Sequence, residues 1–174
     1  MIPVSAIYEI ELVAPGNGAY VKHPGVRIVG KFELKRGQRI TAALGQQGNW
    51  GGGSGGSFVV LESDEGPKPL LIAAGTGCGE YWDKEFVRGN IKESAVGNEN
   101  AGTSGKQEFC PGDKYDVYCA GAGFYGRPQV SNLARGCFAP KSYKDGLTGG
   151  KGVDEDDGQT YEGGFGGGGG GYYR

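Results

Sequence analysis

An antiparallel, mainly β fold with little α-helix is what this sequence predicts, on three observations. Apolar and polar residues alternate over short runs, and turn-forming residues separate those runs. Glycine clusters then fall where the runs end, and no segment shows the apolar spacing of a long helix.

The first run places Ile7, Glu9, Glu11 and Val13 on one side and Tyr8, Ile10 and Leu12 on the other, the period of a strand. "APGNG" then supplies a turn. Two β-type runs follow, 26–34 and 38–44, separated by Lys35, Arg36 and Gly37. That spacing predicts a hairpin, with Gly37 at the positive φ a three-residue connection wants. "SFVVLE" (57–62) and "KPLLIAA" (68–74) form a second predicted hairpin around "SDEGP", whose Asp, Gly and Pro are turn residues. "GEYWDKEFVRGN" (79–90) has room for one short helical turn.

The 38 glycines of the 174-residue chain lack the strict third-residue period and abundant proline of collagen. They cluster in "GNWGGGSGGS" (48–57), "GTGCG" (75–79), "CAGAGFYG" (119–126), "GLTGG" (146–150) and "GGFGGGGGG" (163–171). A flexible linker would not be stitched between short strands that need one another for burial. The placement instead predicts glycine segments in a polyproline-II-like form, lying side by side and pairing their outward backbone groups. Only glycine permits that approach. The structural glycines expected on this reading are Gly51, Gly52, Gly53, Gly75, Gly77, Gly164, Gly166, Gly168 and Gly170. Residues 166–171 would form one rod of about 19 Å, with Phe165, Tyr172 and Tyr173 at its ends. Regular Gly-x-x repeats, which a structural adhesin or ice-binding scaffold would show, are absent.

A formal charge of −2 with interspersed signs gives no field suited to nucleic acid or an anionic membrane surface. No apolar run is long enough to span a bilayer, and "MIPVSAIYEIELV" lacks the basic start and cleavage site of a signal peptide. Cys78, Cys110, Cys119 and Cys137 form an even set without a C-x-x-C pair, which favours two disulfides in an oxidising compartment over a zinc site. Cys110 with Cys119 would close "PGDKYDVY" and leave Cys78 with Cys137, but spacing does not choose among the three pairings. Four free thiols in a cytosolic protein are the alternative.

No motif points to chemistry. "LLIAAGTGCGE" imitates a dinucleotide fingerprint, yet its third glycine comes one place early and no clear helix follows. "GTSGKQ" (102–107) carries Asn100 where a phosphate loop needs its first Gly and Gln107 where it needs Ser or Thr. "DEDD" (154–157) lacks EF-hand spacing and reads as a solvated turn. His23, the only histidine, has no recognisable catalytic partner. Trp50 and Trp82 read as cover for a weak core, or as exposed binding anchors. The expectation is therefore a chain without catalytic residues, cofactor or metal.

Three blocks carry a resemblance: "GVRIVGKFELKRGQRITAALGQQG" (25–48), "WGGGSGGSFVVLESDEGPKPLLIAAGTG" (50–77), and "GLTGGKG" followed by "GGFGGGGGG" (146–171). In this order they resemble the glycine-rich extracellular region of the anaplastic lymphoma kinase and leukocyte tyrosine kinase receptors. The resemblance implies a tumour-necrosis-factor-like antiparallel β-sandwich with an inserted bundle of polyglycine-II helices. It implies a non-enzymatic ectodomain module on the outer face of the plasma membrane, or secreted, that binds a small cytokine-like secreted protein and takes part in receptor dimerisation. In it, "PLLIAAGTG" (69–77) would be a sandwich strand running into a glycine helix. The chain would then be one ectodomain unit: strand-rich 1–74, a glycine-rich, disulfide-containing insertion 75–152 and a polyglycine tract 158–174. Residues 78–145 depart from the family pattern, and its membrane-proximal module, membrane helix and kinase lie outside this sequence, as for a fragment or a shortened relative. No ligand-contact residue carries over. A structural glycine-rich adhesin or ice-binding scaffold is the alternative.

Overall fold

The computed structural model describes residues 1–16, 25–49, 52–75, 112–113, 116–117, 121–127, 138–153 and 160–170. Among these the chain is mainly β, with every strand pair antiparallel and a 3-10 turn at Tyr143–Asp145 as the one helical element. The strands are β1 (Ala6–Val13), β2 (Arg27–Leu34), β3 (Arg39–Ala43), β4 (Ser57–Glu62), β5 (Lys68–Ala73), β6 (Gly112–Asp113), β7 (Asp116–Val117), β8 (Lys151–Val153) and β9 (Thr160–Glu162). All four cysteines, His23, Trp50, Trp82, Gly51, Gly77, Tyr172, Tyr173 and the segments 79–90, 102–107 and 154–157 lie outside the described residues.

β1 pairs with β2 along its whole length, from Ala6 opposite Leu34 to Val13 opposite Arg27. This corrects the expected hairpin between the second and third strands. Gly37 does take a positive φ of 87°, and the Gln38 N–H closes the turn on the Lys35 carbonyl at 3.1 Å. The N-terminal segment, however, claims the neighbouring backbone groups. Ile2 donates to the Gln38 carbonyl at 2.8 Å and accepts from the Gly37 N–H at 2.9 Å. β3 therefore leaves β2 and pairs with β4 in a second sheet of order β3-β4-β5.

The β4–β5 hairpin forms as expected. Gly66, at φ 106°, donates to the Ser63 carbonyl at 2.9 Å, and the Ser63 hydroxyl donates back to the Gly66 carbonyl at 2.6 Å. Pro69, which has no N–H to give a ladder, sits on β5 beyond a register shift at Val59 and Val60.

The two sheets meet through Leu12 and Ala14 on one side and Val59 and Ala73 on the other, with Ile10, Ile28, Leu70 and Leu71 packed around them. On the outer face of β1 and β2, Glu11 accepts from Arg27 Nε at 2.6 Å and Nη2 at 2.8 Å, and Lys31 stands 3.6 Å from Glu9. The hydrogen bond from Arg27 holds the Glu11 carboxyl below the usual carboxylate range. Both groups are exposed, so solvent and salt screen most of the stabilisation.

The unbroken apolar run of β4 has a physical cause, because both of its faces are covered. Val59 enters the first core, while Phe58 and Val60 turn into a second core with Phe124 and Leu147. Each of these fully buried side chains contributes about 1.5–3 kcal/mol. β8 and β9, paired through Gly152 and Tyr161, form a short ladder that the sequence reading did not single out.

Candidate functional site

Glycine-rich residues follow β3 and β5 and precede β4, and these segments gather beside the sheet. The central one is 162–165, and four others surround it: 45–49, 52–56, 149–150 and 168–170. Gly163 donates to the Gly150 carbonyl at 2.8 Å, Gly164 to Gly53 at 2.9 Å and Gly168 back to Gly164 at 3.0 Å. Phe165 accepts from the Gln46 N–H at 2.8 Å, and Glu162 from that of Asn49 at 2.9 Å. Asn49 Oδ1 also accepts from the Glu162 N–H, so this residue clamps the start of the central segment.

The surrounding segments are bonded to one another as well. Gly150 donates to Gly168 at 2.8 Å, Gly53 to Gly169 at 2.9 Å, and Gly55 to Gln46 at 2.9 Å. Each link closes a triangle with the central segment. A pleated sheet contains no such triangles, because the two neighbours of a strand lie on opposite sides of it.

Side chains follow a spacing of three. Glu162 and Phe165 are exposed, whereas Gly163 and Gly164 between them face neighbouring backbone. A Cβ on Gly164 would overlap the Gln46 carbonyl. Gly45 and Gly48 are likewise crowded, by Gly55 and Gly52 respectively, while Gln46 and Gln47 are exposed. Sequence reasoning passed over this local G-x-x-G signal at 45–48 and 52–55 when it noted the absence of a regular repeat.

Of the other expected structural glycines, the described ones fall within or beside the same cluster, and Gly51 and Gly77 lie outside the described residues. Gly52 is packed on Glu162, Gly75 against the carbonyls of Ser54 and Gly55, and Gly170 against Lys151 and Gly152. One expectation needs correction. The expected rod over 166–171 is broken within its described residues, 166–170, because Gly166 and Gly167 have φ of 103° and 78° and turn the tract back on itself. Phe165 stands at that turn, 40% exposed, rather than at a rod end. A tract of identical glycines carries no side-chain signal that could mark the bend.

Beside the bundle lies an aromatic layer that the sequence reading missed. Phe124 stacks on Tyr143 with centroids 4.7 Å apart and planes 12° apart, and Phe58 packs 5.6 Å from Tyr143. Tyr125 meets Phe124 edge-on at 4.6 Å, and the Lys144 ammonium lies 4.5 Å from the Tyr125 ring centroid. The buried Ser142 hydroxyl donates to Asp145 Oδ2 at 2.6 Å and shapes the 3-10 turn.

Burial, and secondarily the Glu62 carboxylate, raise the Tyr143 phenol above its ordinary pKa. The fold thus favours the neutral phenol. Its contribution is fully present below the ordinary tyrosine value of about 10 and is lost as pH rises through the raised folded value. Tyr143→Phe is expected to flatten this alkaline loss, read as the urea midpoint between about pH 8 and 11. An unchanged slope would place the cause elsewhere.

Among the described residues, no three His, Cys, Asp or Glu side chains come together as metal ligands, and no helix is long and apolar enough to cross a membrane. What the site offers is shape: a stack of backbones bordered by the exposed rings of Phe165 and Tyr125, with exposed Phe138 in an isolated antiparallel bridge to Lys151. No protein-family model matches the chain, and no curated protein matches it. Any functional reading therefore rests on the residues themselves.

Proposed function

We propose that this chain is a non-enzymatic binding module, the glycine-rich ectodomain unit of a cell-surface receptor of the anaplastic lymphoma kinase type, and that it takes a small secreted protein as its ligand. The observation that carries the reading is the triangular hydrogen bonding around 162–165, with side chains emerging every third residue. Three residues per turn with outward-pointing N–H and C=O groups is the geometry of polyproline-II-type helices, and glycine alone lets them pack backbone to backbone. On this reading the segments are packed polyglycine-II helices, and the two facing sheets are a tumour-necrosis-factor-like sandwich. The three ordered sequence blocks point the same way.

A rigid stack of this kind loses little conformational entropy when a partner docks, which favours a role in presenting a surface. Tyr125 and Phe165, both exposed large rings, are the anchors proposed for that partner. Two disulfides among Cys78, Cys110, Cys119 and Cys137 belong to the same proposal, as does an extracellular location. The short G-x-x-G spacing at 45–48 and 52–55 favours a second reading, a stiff adhesin or ice-binding scaffold.

The test is capture of partners from a pool of secreted proteins on the immobilised chain. One saturable partner is expected, whose affinity falls about tenfold or more with Tyr125→Ala or Phe165→Ala. Repeated absence of a saturable partner, together with thermal hysteresis or surface adhesion by the purified chain, would replace this reading with the scaffold.

A further inference from the structure

Leu147 joins the aromatic layer to the glycine bundle, and it does so in a backbone conformation that leucine rarely adopts. Its φ is 59°, the one positive φ among the described non-glycine residues. The side chain is 4% exposed and belongs to the core of Phe58, Val60 and Phe124. Its N–H donates to the Ser142 carbonyl at 3.0 Å. Its carbonyl accepts from both Gly166, at 2.9 Å, and Gly167, at 3.2 Å, the two residues that bend the tract.

A left-handed leucine persists only where its surroundings over-determine it. Here there are two such constraints, one on each side of the residue. The core holds the side chain, and the bundle holds the carbonyl. We propose that Leu147 is a conformational latch, which lets the bend at 165–167 lock only while its own side chain is seated in the aromatic layer. If the layer opens, the leucine relaxes to an ordinary φ and its carbonyl rotates away from Gly166 and Gly167. If the bend opens, nothing holds the carbonyl and the side chain is free to leave. The latch makes the two parts mutually dependent: segments 121–126 and 142–147 closed on Phe58 and the rigid bend of the glycine tract stand or fall together. It does not depend on the chain having a protein ligand.

The test is amide hydrogen exchange over residues 163–170 of the full chain, compared with exchange over 57–62. In Leu147→Ala, exchange in the glycine tract should rise about 100-fold, the scale of losing a buried leucine side chain. Leu147→Gly, which tolerates the left-handed backbone but lacks the side chain, should exchange comparably fast. Leu147→Met, which refills the core, should exchange within a few-fold of the wild type. Wild-type protection of 163–170 in Leu147→Gly would overturn the latch, because the bend would then hold without the seated side chain.

Where the alanine and glycine variants fail to fold, Phe124→Leu decides. Its looser layer, seen as a weaker near-ultraviolet circular dichroism signal, should bring faster exchange at 163–170. Unchanged exchange there would overturn the proposal.

Discussion

Gly168→Val is expected to lower the melting temperature by about 6–12 °C, corresponding to about 3 kcal/mol in a chain of this size. Gly168 donates to Gly164 at 3.0 Å and accepts from Gly150 at 2.8 Å, so it belongs to two sides of one triangle. A Cβ there would overlap the Gly53 carbonyl and lie 2.7 Å from the Gly164 nitrogen. These obstructing atoms are backbone, which no rotamer change can move aside. Relief requires the segments to separate, with the loss of several hydrogen bonds whose groups are buried. Gly37→Asn is the matched control. Gly37 has a left-handed φ of 87°, which Gly168 does not, but nothing lies within 4 Å of its added Cβ, and asparagine accepts left-handed geometry. It should be nearly silent in a thermal melt. Equal melting temperatures for the two variants would mean that the tract at 163–170 adds no stability through close packing.

Local chemistry makes much of the β structure legible in the sequence. Asp64, Gly66 and Pro67 announce the β4–β5 turn, and the alternation from Ile7 to Val13 announces β1 with its solvated outer face. The partner of β3 was not legible, because it is decided by Ile2, more than thirty residues away in sequence, whose backbone occupies the turn at Gly37 and Gln38. The glycine cluster was legible as close packing but not as topology. A glycine has no side chain by which the sequence could say which neighbour it meets, so the sequence predicts a straight rod where Gly166 and Gly167 turn. The aromatic layer was hidden for a different reason. Phe124, with Tyr125 beside it, and Leu147 stand among small residues without the periodicity that marks a buried face, and only the fold brings them onto Phe58.

That hidden layer predicts the second large effect. Phe124→Ala is expected to destabilise the chain by about 3–5 kcal/mol, since the ring is fully buried and its removal leaves a cavity that stacked neighbours fill only in part. The stack on Tyr143 and the packing toward Phe58 add a specific term beyond the buried area. A double-mutant cycle isolates it: Phe124→Ala, Tyr143→Ala and the pair should show a coupling of about 0.5–1.5 kcal/mol in urea unfolding. The first core provides the comparison. Val59 faces Leu12 rather than Phe124, so Val59→Ala should lower stability without coupling to Tyr143→Ala. Additive behaviour of Phe124 and Tyr143 would mean that 121–126 merely rests on the sheet. A measured coupling would instead make that segment a third layer of the fold, with the glycine bundle anchored through it to the buried face of β4.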